Sequence, residues 1–461
     1  LISGVISCIA GVALMQSPKK EFGFGDAMLL VALSLLVLSF FGAIPFFMAL
    51  EGSLAEVLLD GYFESISGYT TTGLSILPSH MLQSSFQSYH SLVFRRALSE
   101  WLGGLGIIVI FLSVLAKGGI STVYLQRIEG AGERIVPSIE HMSRITLRIY
   151  IFYTFMGAVL LWISGLDFFH SIIGVMSTLS TGGFIGNLPS FNSSGWATNL
   201  VLMLCMILGA VPFILHYHLI SGKPSRFFRN VEIRTFFWIL SLSVLILLPT
   251  VSYVSVTAIP DTLHRLGLGV VSTMTSTGYN SAGLENIGYM EIFLLVILML
   301  IGGCSGSTAG GLKFIRLSVL LHAIQWMIRK YSLPESAVVP FKISGEVFDT
   351  KELMNIALFF FVYTLLIFFS SAVFMLFGIS PMDSIFMSAS AQGNNGLATV
   401  EIATLPATIK LVLMFQMIAG RLEIFPILAL FGFMLTGLTR GIREAEQGGK
   451  KEPDKKLKNT K

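Results

Sequence analysis

The sequence has little charge and little cysteine, and each shortage limits what kind of protein it encodes. Only 12% of the 461 residues are charged, whereas 54% are hydrophobic, and the mean hydropathy is +0.78. Because a soluble globular domain carries about 25% charged residues, the composition excludes that class. Three scattered cysteines give neither a disulfide framework nor a metal site. Long apolar runs instead predict an all-α polytopic membrane protein that lies in a lipid bilayer.

Groupings of residues that could carry out catalysis are also missing. No nucleophile stands at a useful spacing from a base, and no cluster of metal ligands is visible. We therefore predict that the chain is not an enzyme and contains no cofactor of its own. A membrane enzyme using Arg421, Glu423 and His216 is the alternative from another class. The net charge of +4 follows membrane topology, and we expect no nucleic-acid partner.

What the sequence does contain is a small octapeptide in four copies. In every copy a serine stands six residues before a glycine, which a large apolar or aromatic residue follows. The glycines are 110, 95 and 118 residues apart, so the repeat is far longer than a solenoid period. The copies begin at Ser67, Ser177, Ser272 and Ser390. Their central residues are Thr70, Thr71, Thr72 and Gly73; Ser180, Thr181, Gly182 and Gly183; Thr275, Ser276, Thr277 and Gly278; and Gly393, Asn394, Asn395 and Gly396.

Four such segments around one axis would form a filter for a monovalent cation. Irregular backbone at membrane depth must be buried in protein or line a wet cavity. Rings of carbonyl and hydroxyl oxygens can replace the hydration shell of the ion. Glycine supplies a backbone oxygen without an obstructing side chain and tolerates positive φ. The alternative is four re-entrant turns that only pack helices together.

Each octapeptide lies between the same elements: an apolar helix and a short half-helix before it, and a second apolar helix after it. The half-helices are too short to cross about 30 Å and fit re-entrant pore helices. The pattern predicts four parallel repeats with pseudo-fourfold symmetry around a central pore. In repeat two, for example, we expect one continuous second helix over Trp196–Ile220. We divide the chain into the end of a transmembrane helix with a cytoplasmic turn (1–25), repeats at 26–120, 121–230, 231–345 and 346–439, and a cytoplasmic polar tail (440–461).

The distribution of charge predicts the orientation. The connections between repeats, together with the tail, carry 25 of the 30 Lys and Arg residues. By the positive-inside rule these connections are cytoplasmic, and the octapeptides open outward. The outward segments carry acids, among them Glu56, Asp60 and Glu64, which we expect to raise the local cation concentration. Ordinary solvated loop acids are an equal alternative for any one of them.

Two features depart from the repeat. The second helix of repeat three is interrupted by a stretch with five glycines in ten residues, a poor helix former that we expect to form a gate under the filter. Close helix packing through Gly302, Gly306 and Gly310 is the alternative. The predicted gate comprises Gly302, Gly303, Cys304, Ser305, Gly306, Ser307, Thr308, Ala309, Gly310 and Gly311. The second feature is Arg421, an ion within an apolar run, which we expect to face the pore as an electrostatic barrier.

These motifs resemble those of the Trk/Ktr/HKT superfamily of potassium transporters, most closely its bacterial TrkH branch. The residues that carry the resemblance are the four-copy plan, Thr70-Thr71-Thr72-Gly73, Ser180-Thr181-Gly182-Gly183-Phe184, the glycine-rich stretch 302–308 and Gly420-Arg421-Leu422-Glu423-Ile424. The resemblance implies potassium uptake through a four-glycine filter, with the loop and the arginine restricting the pore. It also implies a homodimer in the bacterial inner membrane and a cytoplasmic TrkA- or KtrA-like ring that binds NAD or an ATP-type nucleotide. Gly393-Asn394-Asn395 departs from the hydroxyl-rich pattern, so a less selective sodium/potassium pathway stays open.

Overall fold

The structure is a computed structural model. It describes residues 24–77, 87–116, 139–185, 195–251, 259–279, 288–334, 339–343, 346–423, 426–427, 430 and 432–433. Within these residues the chain is mostly helical, as the sequence predicts. The helix end predicted before residue 17 and the polar tail over 440–461 lie outside the described residues. The domain boundaries and the pseudo-fourfold symmetry stay predictions.

Repeat one shows how the sequence builds each unit. The long apolar helix α1 (Phe24–Ala49) is followed by the half-helix α2 (Leu54–Tyr69) and then by α3 (Gln87–Ala116). Ser53 and Glu56 begin α2 with a capping box, in which each side chain bonds the other's backbone N–H. Hydrogen bonds from Ser53 also hold the pKa of the Glu56 carboxyl below its usual value. The last turns of α2 are buried, so the helix directs its octapeptide into the protein interior.

The other repeats follow the same order. Repeat two has α4 (Ile139–Ile163), α5 (Phe168–Leu179), α6 (Trp196–Ala210) and α7 (Phe213–Ile220), followed by a short connecting helix, α8 (Pro224–Arg229). Repeat three has α9 (Val231–Val251), α10 (Ile259–Met274), α11 (Tyr289–Ile301) and α12 (Phe314–Tyr331). Repeat four has α13 (Thr350–Leu376), α14 (Pro381–Gln392), a 3₁₀ turn (Ile402–Thr404) and α15 (Ala407–Arg421). Thus every octapeptide begins in the last turn of a half-helix, in the predicted order.

Length and composition identify the membrane-crossing elements. Among the described residues four helices are long and apolar enough to cross a membrane, and a bent pair in repeat two brings the number to five if it counts as one span. These four helices are the first helices of the four repeats, α1, α4, α9 and α13. The half-helix α5 and the helix α11 are apolar but shorter, which agrees with elements that enter the membrane without crossing it alone.

The prediction of one continuous helix over Trp196–Ile220 is wrong. The helix ends at Ala210, and α7 leaves α6 at an angle of 105°. Pro212 stands at the break, where it cannot donate the backbone hydrogen bond that would continue the helix. The bend places the N-terminus of α7 against the glycine-rich stretch, since the Phe213 N–H bonds the Gly306 carbonyl at 3.3 Å.

A small sheet adds to the helical plan. Two-residue strands, β1 (Lys342–Ile343) and β2 (Glu346–Val347), pair antiparallel in the connection between repeats three and four. Phe341, Ile343 and Phe348 from this hairpin pack on Ile315 and Val319 of α12. The connection is therefore fixed to the helix that follows the glycine-rich stretch.

Candidate ion-binding site

The four octapeptides share one backbone conformation. In each, the N–H group five residues after the first serine donates to that serine's carbonyl, at 2.8–2.9 Å. Two positions in each copy have positive φ: Thr71, Thr181, Ser276 and Asn394 at 50–57°, and Gly73, Gly183, Gly278 and Gly396 at 70–90°. Since positive φ costs a non-glycine residue about 1–3 kcal/mol, the surrounding structure must hold these turns in place.

The four glycines meet in a closed ring. A Cβ atom on Gly73 would collide with the Gly182 carbonyl of repeat two, and one on Gly183 with the Thr277 carbonyl of repeat three. One on Gly278 would meet the Asn395 carbonyl of repeat four, and one on Gly396 the Thr72 carbonyl of repeat one. The contacts thus run from repeat one through repeat four and back to repeat one, with backbone oxygens at every junction. No side chain larger than hydrogen fits there without movement.

Repeats one and three support this ring with hydroxyl groups. The Thr70 and Thr72 hydroxyls bond each other at 2.7 Å, and the Thr275 and Thr277 hydroxyls do so at 2.8 Å. The first hydroxyl of each pair also donates to a carbonyl of its own pore helix. Because these threonines are buried, their hydroxyls brace the backbone from within the protein.

Repeat two uses a carboxylate from a neighbouring repeat. Glu100 of α3 accepts hydrogen bonds from the Ser177 hydroxyl and, at 3.0 Å, from the Phe184 N–H. Its carboxyl group fills the space that a side chain on Gly182 would need. The sixth position of this octapeptide is therefore glycine because Glu100 lies behind it.

Repeat four uses amide groups that reach both neighbouring repeats. Asn394 Nδ2 donates to Thr72 Oγ1 of repeat one at 2.9 Å and to the Met417 carbonyl at 2.8 Å. Asn395 Nδ2 donates to the Thr273 carbonyl of repeat three at 2.8 Å. A carbonyl can only accept, so these contacts fix which amide atom is nitrogen. The asparagines that depart from the hydroxyl-rich pattern thus join repeat four to repeats one and three.

Glu64 does not lie in a solvated outer segment, so our interpretation of it as a surface acid is wrong. It is fully buried and pairs with Arg96 of α3, with 2.8 Å between Arg96 Nε and Glu64 Oε1. It also accepts hydrogen bonds from the Ser75 hydroxyl and the Ile76 N–H. The Arg96 guanidinium lies 4.0 Å from the centre of the Phe184 ring. This pair holds the chain just after the first octapeptide against the second.

The glycine-rich stretch is not helical, and the alternative of a continuous packed helix is wrong. α11 ends at Ile301 and α12 begins at Phe314. Thr308 Oγ1 bonds the Leu179 carbonyl at 3.0 Å and the Gly209 carbonyl at 2.9 Å. A Cβ on Gly310 would collide with the Gly393 carbonyl. The stretch therefore lies across the pore-helix ends of repeats two and four, next to their octapeptides.

Glu232 of α9 holds this stretch at two points. Its Oε1 atom accepts the Ser305 N–H and the Ile315 N–H, both at 3.1 Å. Glu232 is buried and its two partners lie ten residues apart, on either side of the loop's second half. One carboxylate thus joins the loop to the first turn of α12. Glu232, Glu100 and Arg96 were not predicted as site residues. A charged residue inside or beside an apolar helix is the sequence feature that indicates such a role.

Arg421 lies where the loop meets the last helix. It ends α15, and its guanidinium donates to the Thr308 carbonyl at 2.6 Å and to the Gly103 carbonyl of α3 at 2.9 Å. Glu423 pairs with Arg316 of α12 and not with Arg421. The arginine therefore joins the loop, repeat one and repeat four through a buried positive charge.

The remaining predicted site residues lie in the same region. The sixteen central octapeptide residues predicted as the filter lie in the ring or next to it, and they are buried or, at three of the four glycines, partly exposed. No group of three or more His, Cys, Asp and Glu residues that could hold a metal occurs in the described ranges. His216 is buried and bonds Tyr153 and the Leu208 carbonyl, away from Arg421's partners.

Comparisons with known proteins agree on one family. The TrkH family, described as a cation transport protein, matches residues 2–436. An uncharacterized cation transporter of Methanocaldococcus jannaschii is 33% identical over 434 residues, covering 94% of this chain and 87% of that protein. The Trk system potassium uptake protein TrkH of Salmonella typhimurium is 30% identical, covering 90% of this chain and 86% of that protein.

A solved structure agrees with these relatives. The crystal structure of the potassium transporter TrkH from Vibrio parahaemolyticus matches with a TM-score of 0.77 and 27% identity. The match covers 90% of this chain and 86% of that one. The chain therefore belongs to the TrkH family of cation transport proteins and is an integral membrane transporter, not an enzyme.

Proposed function

We propose that the chain takes up potassium across the bacterial inner membrane through a pore whose filter is the ring of Gly73, Gly183, Gly278 and Gly396. The observation that carries the proposal is the closed cyclic order of the glycine contacts. A backbone carbonyl lies at each junction, and rings of backbone carbonyls are the chemistry that binds potassium in filters, which supports this assignment. The potassium uptake named for the Salmonella relative supports the choice of ion.

Proteoliposomes containing the purified protein test this function. We expect flux of potassium and rubidium well above that of sodium. Comparable sodium and potassium flux would support the less selective pathway, and no cation flux under any condition would contradict the transport role. Fractionation of the host cell tests the inner-membrane localisation. We expect the protein to co-fractionate with the inner membrane.

The filter itself is tested by substitution at its glycines. Gly73→Ser and Gly278→Ser should lower the preference for potassium over sodium, because the added side chain meets a carbonyl of the next repeat. Gly378→Ser is the matched control: it also has positive φ, but a Cβ there meets nothing within 4 Å. Unchanged selectivity in both filter variants, with the native elution volume in gel filtration, would contradict the filter.

We also propose that the pore has a gate and that the transporter acts with partner proteins. The loop Gly302–Gly311 and Arg421 block the pore under the filter until a cytoplasmic ring moves them. That ring is a TrkA- or KtrA-like regulator with NAD or an ATP-type nucleotide, and the transporter is a homodimer. Contacts between the loop, the octapeptides and α15 support the gate. Light scattering should give the mass of two chains, and the added ring with its nucleotide should change flux.

A further inference from the structure

We propose that the transporter binds the phosphate headgroup of an anionic phospholipid in a groove at the start of α9. The groove has a volume of about 360 Å³. It is lined by Phe228 of α8 and by Ile233, Arg234, Phe237, Trp238 and Ser241 of α9. These residues are here called the α8–α9 groove. It has no part in the filter or the gate described above.

Along α9, a basic residue is followed by aromatic residues, in the same order as the charged headgroup and the acyl chains of a phospholipid. Residues 234, 237, 238 and 241 recur at helical spacing, so they share one face of α9. Seven residues of helix span about 10 Å, with Arg234 at one end and Ser241 at the other. The apolar span begins at Val231, so Arg234 stands at the membrane boundary, and Phe237 and Trp238 lie about one helical turn deeper, next to the headgroup level. A headgroup at Arg234 would therefore leave an acyl chain along Phe237 and Trp238.

The charge around the groove selects an anionic headgroup. Lys223, Arg226, Arg229 and Arg234 are exposed within a stretch of twelve residues. The one acid of this stretch, Glu232, is buried and directed to the glycine-rich loop, where it bonds Ser305 and Ile315. It therefore leaves the basic side chains free of a neighbouring carboxylate on their own segment. Arginine in particular binds phosphate oxygens through two parallel hydrogen bonds.

The aromatic residues place the groove at the membrane interface. Trp238 is 74% exposed and Phe228 is 64% exposed, although both are large and apolar. Tryptophan is enriched at the level of lipid headgroups, where its ring is apolar and its N–H is polar. The four basic residues lie on the side that the positive-inside rule assigns to the cytoplasm, whose leaflet carries anionic lipid. A bilayer lipid, and not a soluble phosphate compound, therefore fits the groove.

Quenching of tryptophan fluorescence by brominated lipids tests the site in the full-length protein. The protein is reconstituted into phosphatidylcholine nanodiscs that contain either brominated phosphatidylglycerol or brominated phosphatidylcholine at the same fraction. The Trp238 signal is the difference between the native protein and Trp238→Phe. We expect phosphatidylglycerol to quench it about fivefold more effectively, the factor that one arginine contributes near an anionic surface.

Two variants and one competitor decide the outcome. Arg234→Gln should abolish the preference for phosphatidylglycerol, whereas Arg329→Gln, an exposed arginine at the end of α12, should leave it unchanged. Inorganic phosphate should not compete. Equal quenching by both lipids in the native protein would overturn the proposal, since it shows lipid contact without headgroup recognition. Absence of Trp238 quenching by either lipid would also overturn it, because a second protein chain then covers the groove.

Discussion

Asn394 and Asn395 stand at positions where repeats one and three carry hydroxyl groups. Their amide groups donate hydrogen bonds to neighbouring repeats, so they hold the ring together and need not face the ion. The same position is filled by a threonine hydroxyl, a carboxylate from α3 or an amide, depending on the repeat. Three chemically different supports thus keep one backbone conformation in four repeats.

Asn395→Thr distinguishes a supporting role from that of an ion ligand. Threonine matches repeats one and three but cannot reach the Thr273 carbonyl that Asn395 bonds at 2.8 Å. One hydrogen bond contributes about 0.5–1.5 kcal/mol, so we expect the potassium-to-sodium flux ratio to fall about two- to tenfold. Asn199→Thr, at another buried asparagine, is the control. An unchanged or higher ratio would show that a hydroxyl suffices.

Arg421→Ala should raise basal flux without changing ion preference. The substitution removes a buried positive charge, and like charges 4 Å apart repel by about 4 kcal/mol at an effective dielectric of about 20. It also releases the Thr308 carbonyl of the loop. Arg421→Lys should have a smaller effect, because lysine keeps the charge but loses the planar fork that reaches both carbonyls. Proteoliposome flux measures both variants; lower flux from a folded Ala variant would mean that the arginine is structural.

At the scale of elements, the glycine-rich loop depends on contacts that a local pattern does not contain. The short α11 and the five glycines predict an interruption, and the structure has it. The anchor at Glu232 lies 73 residues from Ser305 and 83 residues from Ile315. Only folding brings Glu232 close to these two residues. The loop could therefore be predicted from the sequence, but the carboxylate that anchors it could not.

Glu232→Ala should therefore increase flux through the pore more than Glu232→Gln does. Alanine removes the acceptor of two backbone N–H groups, each bond to a charged group contributing about 1.5–3 kcal/mol, whereas glutamine retains an acceptor oxygen. Flux of potassium and rubidium measures the effect, and Glu291→Ala in the first turn of α11 is the control. Equal flux in all three variants would indicate that the loop does not depend on this carboxylate.

The helices themselves were largely predictable, because apolar length and capping are local properties. The sequence predicts a short half-helix before each octapeptide, and in repeat two the structure has it at Phe168–Leu179. The bend at Pro212 was not predicted, because the apolar run over 196–220 indicates a single helix and the effect of the proline on its hydrogen bonding was not considered. The burial of Glu64 was missed for another reason: its partner Arg96 belongs to a different helix, 32 positions along the chain. Local periodicity cannot indicate which charges are paired.

At the scale of the whole molecule, the ring closes only if repeat four meets repeat one. Several contacts join them besides the bond from Arg421 to the Gly103 carbonyl. Gly396 lies against the Thr72 carbonyl, Asn394 bonds the Thr72 hydroxyl, and Lys410 pairs with Asp60 at 2.7 Å. The ion pair lies outside the filter, between the half-helix α2 and the start of α15. Because the Lys410–Asp60 pair lies outside the filter, it can be removed without changing a filter residue.

The Lys410–Asp60 pair should stabilise the closed ring. The side chains are 7% and 23% exposed, so the pair lies between a surface pair, worth about 0–1 kcal/mol, and a buried one, whose disruption costs about 3–5 kcal/mol. We expect Lys410→Met to lower the free energy of unfolding by about 1–3 kcal/mol, with Asp60→Asn similar and the double variant less than additive. Thermal unfolding in detergent measures the trend as a fall in Tm, with exposed Lys351→Met as control. Additive effects of the two substitutions would mean that the residues do not interact, and that this ion pair does not contribute to ring closure.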